Sequence, residues 1–331
     1  MNLSLTSLNL WLAGAIVALI ALLLLFGDVP LSGAMWLDAL IHWKSVGAEI
    51  VWGIRLPRNL AAAGVGAMLG MSGALMQGLL RNPLAEPGLL GVSAGAGLGA
   101  AVAIVLGLGL IDFAVAGFAL IGAVIVAVIL LVFVERFPQR QSLILLGVGL
   151  SALCGALMAL TFNLSPSPVT TAEMLGWMMG SVENRNIWDV LMCVIGLALA
   201  GALSFRLARG LRYLTLGEET ARSMGVDMTR LTQAVVIGSS LLAGLSVAVA
   251  GVIGFVGLAA PHFVRAMGVK DPYRLIAPST LTGAIIVLIA DALVRLIPAT
   301  GELRLGVVTS LVGAPLFALL AWRSARSWMQ D

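Results

Sequence analysis

Charged side chains make up only 11% of this 331-residue chain, so the places where they cluster carry most of its chemistry. Asp291 is the one clear acid within a predicted span, and it stands four residues before Arg295. That spacing puts both on one helix face and predicts a local ion pair near a membrane interface. Arg55 and Arg58 bracket Leu56-Pro57 where another apolar stretch begins. Their stems can snorkel to lipid headgroups, or their guanidiniums can form a basic pad for a partner's carboxylates. The longest polar interruption runs from Arg206 to Arg230, with five arginines (Arg206, Arg209, Arg212, Arg222, Arg230) against Glu218, Glu219 and Asp227. All of this is the chemistry of recognition, not of bond breaking.

Covalent chemistry has no visible apparatus in the sequence. There is no GxxxxGK[ST] loop, and the only lysines are Lys44 and Lys270, so nucleotide is not expected to bind by that route. Neither a Ser-His-Asp nor a paired-carboxylate arrangement stands out. Cys154 and Cys193 fall in apolar runs, and His42 and His262 are the only histidines. A disulfide framework, a zinc site or a histidine metal cluster is therefore not expected. The expectation is no catalytic residue and no metal ligand.

The elements that must position these residues are membrane helices. The chain is 60% hydrophobic with 39 glycines, far from a soluble domain, in which roughly a quarter of residues are charged. A span needs about 20 apolar residues, and on that basis the sequence predicts an all-α, polytopic protein with ten transmembrane helices. They are placed near 10–27, 57–80, 89–108, 113–134, 142–162, 187–205, 231–249, 250–267, 275–297 and 306–322, in a single transmembrane domain over 1–331. No alternating ten-residue strands argue for a barrel. The first apolar run lacks a basic flank and a cleavage site and reads as a retained span. The larger share of the 19 basic residues falls on one side when both termini are cytoplasmic, as the positive-inside rule requires.

Local signals refine this. Residues 28–53 form an outer segment whose Trp36, Trp43 and Trp52 suit an interfacial belt. Small residues recur at Gly66/Gly70 and Gly91/Gly95/Gly99, a pattern of close helix packing. Arg81 to Ser93 reads as a tight inner turn, because Asn-Pro and Pro-Gly punctuate helices. In the arginine-rich loop, Thr215 with Glu218 fits a capping box, Gly225 a left-handed helix stop and Asp227 a new N-cap. The result is a short helix that either lies on lipid headgroups or serves as a docking knob for a soluble partner.

Four motifs in order, RNPLAEPGLLGVSAGAG, LGEETARSMG, GFVGLAAPHFVR and GVVTSLVGAP, resemble the permease family of ABC importers for iron–siderophore, haem and cobalamin. The resemblance runs from about Arg55 to Trp322 and is tightest to the cobalamin branch between Arg81 and Ser93. It implies a subunit of the bacterial inner membrane that works as a homodimer or with a sister permease. Two cytoplasmic ATPase subunits would bind the ATP and magnesium, and a periplasmic binding protein would deliver substrate; membrane lipid, not nucleic acid, surrounds the chain. By resemblance, Arg55, Arg58 and Arg295 dock the binding protein. Thr215, Gly217, Glu218, Ala221, Met224 and Gly225 couple to the ATPase, and Asn82, Leu84, Arg140 and Gln141 stand at the cytoplasmic gates. The fifth span, with Gly147 and Gly149, is the implied pore lining. Arg140-Gln141 replaces the small hydroxyl residues of the cobalamin branch, and Glu302-Leu-Arg304 replaces its Glu-Leu-Pro. The implied function is ATP-driven import of a metal chelate, ferric siderophore first, with cobalamin and haem next. An ion- or proton-coupled secondary transporter is the alternative, and the near absence of intramembrane charge weighs against it.

Overall fold

The computed structural model describes residues 4–27, 29–111, 113–137, 140–297 and 303–328, and of 140–141, 205–207 and 320–328 the backbone alone. Among the described residues the regular structure is entirely helical. In chain order the helices are α1 (Leu5–Leu25), α2 (Gly33–Ile41), α3 (Val46–Ala48), α4 (Leu56–Leu80), α5 (Val92–Val105), α6 (Ala114–Arg136), α7 (Arg140–Asn163), α8 (Pro168–Met178), α9 (Ile187–Leu207), α10 (Gly210–Leu214), α11 (Glu218–Ser223), α12 (Met228–Ala250), α13 (Val256–Ala266), α14 (Pro272–Leu296) and α15 (Leu305–Trp328). Seven helical stretches among the described residues are long and apolar enough to cross a membrane, while 92–105 and 305–319 are apolar but shorter.

The bundle is built around α4 and α12, which are buried along most of their length. By contrast α1, α6, α7 and α9 turn many of their leucines, valines and isoleucines outward, the surface expected to face lipid. Helices in lipid gain little from apolar burial alone, so their packing relies on close backbone approach. That is visible where α4 crosses α14: a Cβ at Gly66 would come within 2.2 Å of the Gly283 carbonyl oxygen, and one at Gly283 within 2.2 Å of the Gly66 oxygen. Gly95 and Gly122 make the same reciprocal contact between α5 and α6. The small-residue spacing read from the sequence thus marks helix crossings.

Two of the predicted spans differ in form. The eighth, expected over 250–267, is not one continuous helix. The chain is non-helical from Gly251 to Gly254, and α13 is only 11 residues long. Gly251 adopts φ 70° and ψ −166°, a conformation nearly confined to glycine, and a Cβ there would lie 2.2 Å from the Trp177 oxygen. Non-helical backbone at membrane depth must find partners in neighbouring protein; here Ser181 N–H donates to the Ala250 oxygen. The third, expected over 89–108, is a 3-10 turn at Pro87–Leu90 followed by the 14-residue α5.

Residues 29–53 are more ordered than a loop. Ser32 caps α2, and a π-helical turn over Glu49–Arg55 joins α3 to α4. Trp52 Nε1 donates to the Ala39 oxygen at 3.1 Å and its ring tilts against Trp43. The segment therefore packs on itself and against Leu24 at the end of α1.

Candidate docking and coupling sites at the two ends of the bundle

At one end of the bundle, two arginines converge on one acid, and a third holds backbone carbonyls beside them. Arg58 donates through Nε and Nη2 to Asp291 Oδ1 at 3.1 and 2.9 Å. Arg295, one turn on along α14, donates to Asp291 Oδ2 and to Asn59 Oδ1, and reaches the Leu23 oxygen at 3.3 Å. Arg55 donates to the oxygens of Leu24 and Val29, where α1 ends and its last carbonyls lack helical partners. Asp291 is 1% exposed; the side chains of Arg295 and Arg58 are 4% and 14% exposed, and Arg55 is 5% exposed. The i, i+4 pair expected from the sequence is present. The basic pad has a different geometry from a free surface, because its guanidiniums already hold α1, α4 and α14 together. A docking carboxylate would have to compete with these bonds, and Arg58 is the most accessible of the three.

At the other end, the arginine-rich loop forms the helical pair α10 and α11. Gly217, at φ 110°, separates them and precedes α11 without a side-chain cap. The Thr215–Glu218 capping box does not form: Thr215 Oγ1 instead donates back to the Arg212 oxygen at 2.7 Å, and Glu218 pairs with Arg222 at 2.9 Å. Thr215 is still in the last turn of α10, so its hydroxyl finds a carbonyl before it can reach the next helix. The stop signals are as expected. Gly225 has φ 84°, its N–H donates to the Arg222 oxygen, and Val226 N–H donates to the Ala221 oxygen, the paired bonds of a Schellman motif. Asp227 caps α12 through the Arg230 N–H.

Burial divides this loop into a root and a tip. Leu211, Leu214 and Ala221 are fully buried and anchor it. Leu216 is 60% exposed and Met224 53% exposed, apolar side chains held out among charges on a rigid base. That combination suits a protein-binding knob, since interface centres favour apolar anchors with a polar rim.

One helix joins the two ends. Asp271, the N-cap of α14, accepts from Arg212 Nε of α10 at 2.6 Å, and Asp291 on the same helix holds Arg58. Twenty residues at 1.5 Å each set these carboxylates ~30 Å apart, about the thickness of a bilayer's hydrocarbon core. Sequence reasoning found Asp291–Arg295 but missed Arg58, Asn59 and Asp271 as partners. The N-cap pattern Asp271-Pro272 was the one available signal.

Asn82 and Leu84 lie in the turn that follows α4. Asn82 Oδ1 accepts from the Leu84 N–H at 2.9 Å, an Asx turn. Beyond it, burial pushes the Glu86 carboxyl above its ordinary range, while the Phe255 backbone N–H pulls the other way. Glu86 therefore ties this turn to the start of α13. On the far side of α13, Arg265 donates to Gln77 Oε1, and Gln77 Nε2 reaches the Gly257 oxygen at 3.4 Å. The side chains of Arg140 and Gln141 lie outside the described residues, though α7 begins at Arg140. Gly147 packs against the backbone of Leu89 and Leu90, whereas Gly149 faces open space. An apolar cleft of about 670 Å³ lies along α15 beside the unwound segment 251–254, lined by Met178, Val252, Gly254, Gly306 and Ser310 among others. Glu173, Arg185 and Arg304 are among the residues that line a smaller cleft of about 260 Å³.

Comparison with known proteins decides the family. A model of the FecCD transport family matches residues 15–323. The chain belongs to the FecCD transport family. This FecCD-family chain is 42% identical over 297 residues to the vitamin B12 import system permease protein BtuC of Salmonella typhi, covering 89% of this chain and 90% of that protein. It is 40% identical over 296 residues to the same permease of Citrobacter koseri, covering 89% of each. Among solved structures, a transporter described as of the metal-chelate ABC type, in an inward-facing conformation, superposes with TM-score 0.83 at 29% identity, over 96% of this chain and 99% of that one. PsaBC from Streptococcus pneumoniae shares the fold at TM-score 0.55 and 17% identity, over 86% and 94% of the two chains. The FecCD-family chain is thus an all-helical, multi-pass membrane permease.

Proposed function

We propose that this chain is the ten-span permease subunit of an ATP-driven ABC importer of the bacterial inner membrane, with both termini in the cytoplasm. It would act as a pair, with itself or a sister permease, and move a metal chelate by alternating access. The observation that carries this reading is α14, which bonds the arginine-rich loop through Asp271 and both Arg58 and Arg295 through Asp291. A displacement delivered to α10 and α11 has a direct route to the opposite face. A partner bound at either end can bias the transition only by its differential affinity for the two states.

In this reading the exposed tip of the α10–α11 loop, with Thr215, Gly217, Glu218, Met224 and Gly225 around the buried Ala221, seats on a cytoplasmic ATPase that holds the ATP and magnesium. A periplasmic binding protein docks over Arg55, Arg58 and Arg295, with Arg58 the contact and the other two the frame. Asn82, Leu84, Arg140 and Gln141 form the inner gate. The vitamin B12 permeases among its relatives move cobalamin ahead of ferric siderophores and haem as the cargo to test first. The decisive experiment reconstitutes the permease, ATPase and binding protein in proteoliposomes and follows labelled cobalamin and ferric siderophore. ATP-dependent uptake of either chelate, unaffected by a proton ionophore, supports the reading. Uptake that persists without ATP and collapses with the ionophore would establish a secondary transporter instead.

A further inference from the structure

A cleft of about 540 Å³ opens between α1, α4, α9 and α14, at the end of the bundle that carries the arginine-rich loop. Its volume falls within the roughly 300–1,000 Å³ of pockets that hold small molecules. Its lining is mostly apolar by area, with Leu5, Met71, Gly201, Ile276 and Leu281, but also includes Asn9, Ser204 and Thr280; Tyr273 and Arg274 line it where α14 begins. There two guanidiniums share one carboxylate. Asp271 Oδ2 receives Arg212 Nε at 2.6 Å, while Arg274 Nε stands 3.9 Å from the same oxygen. Asp271 Oδ1 is occupied by the backbone N–H groups of Tyr273 and Arg274. The Arg274 side chain is 60% exposed. The rim therefore keeps an excess positive charge directly above an apolar slot that opens between membrane helices.

We propose that this cleft is a binding site for one anionic phospholipid, its acyl chain in the slot and its phosphate on Arg274. An amphiphile matches a site that is apolar along its walls and cationic at one end. Basic pockets between membrane helices on the positively charged side recognise anionic headgroups in this way. A zwitterionic lipid would bring its own cation against Arg212 and Arg274, so discrimination against it follows from charge. Occupancy also bears on the loop. Arg274 competes with Arg212 for Asp271, and a phosphate that takes up Arg274 leaves Asp271 to Arg212. The lipid thereby strengthens the bond between α14 and α10. The site does not depend on the transport reading, only on the cleft and its rim.

The test uses the full chain in nanodiscs of dioleoyl phosphatidylcholine with or without a minor fraction of dioleoyl phosphatidylglycerol, with retained lipid counted by native mass spectrometry. The wild-type chain should retain phosphatidylglycerol in preference to phosphatidylcholine. Arg274→Gln should weaken that retention roughly five-fold, the worth of one surface cation, and Arg274→Lys should preserve it. Gly201→Phe should abolish retention without unfolding the chain, because a Cβ at Gly201 meets nothing within 4 Å. Equal retention of both lipids, or unchanged retention in Arg274→Gln, would overturn the proposal. So would retention that survives Gly201→Phe, because the lipid would then sit elsewhere, and so would headgroup binding matched by inorganic phosphate alone.

Discussion

Arg58 and Asp291, 233 positions apart, meet as a closed fork in which two nitrogens of the arginine donate to a single carboxylate oxygen. The other oxygen is held by Arg295. One acid thus pairs with arginines from two helices, and its burial makes each partner necessary to the others.

Removing that acid should be costly. Breaking a buried ion pair by deleting one partner typically costs about 3–5 kcal/mol, because the remaining charge is left without compensation. Asp291→Ala should lower the thermal unfolding temperature in detergent strongly, and more than Glu219→Ala, a change at an exposed carboxylate of the loop. Equal shifts would mean that the cluster does not hold α4 to α14.

Arg58 is where docking and scaffolding can be separated. Charge reversal would set a second carboxylate against Asp291, so Arg58→Gln is the informative change. Binding-protein affinity should fall and its dependence on salt should flatten, since rim charges act mainly through long-range attraction. Unchanged affinity across a salt series, with the fold intact, would remove Arg58 from the docking surface.

Gly225 at φ 84° ends α11 and donates a bond that closes the loop. Proline is fixed near φ −65° and has no N–H, so Gly225→Pro loses both. Transport should uncouple from ATPase stimulation while the spans remain folded, as measured by uptake per ATP hydrolysed in proteoliposomes. Normal stoichiometry would mean that the loop is passive.

Glu86 gives a pH signature. Burial raises its pKa above the ordinary carboxylate range, so the folded chain holds this proton more tightly than the unfolded one. The associated stability is fully present below the unfolded pKa and is lost as pH rises through the folded one. Glu86→Gln removes the cost of charging, so its stability relative to wild type should improve from acid toward neutral pH. A difference that stays flat in thermal unfolding across that range would show that Glu86 is not desolvated.

Much of this was legible in the sequence because it depends on neighbours in the chain. Apolar runs of span length announced membrane helices, and the i, i+4 step from Asp291 to Arg295 announced their pairing. Gly225 and Asp227 declared where one helix stops and the next starts, since their conformations are fixed by bonds a few residues away. The Thr215 capping box misled because its pattern is equally satisfied by a hydroxyl turning back into the preceding helix.

The sequence by itself determined that this protein is a helical membrane protein with an ordered, charged knob, because hydropathy, capping and short-range charge pairing act over single turns. The tertiary structure alone decided that Arg58 closes on Asp291, that Arg55 and Arg295 are buried struts, that residues 251–254 run unwound, and that Asp271 ties α14 to the loop. Those outcomes rest on which distant helix supplies the partner for a charge or a carbonyl, and no local spacing encodes that choice.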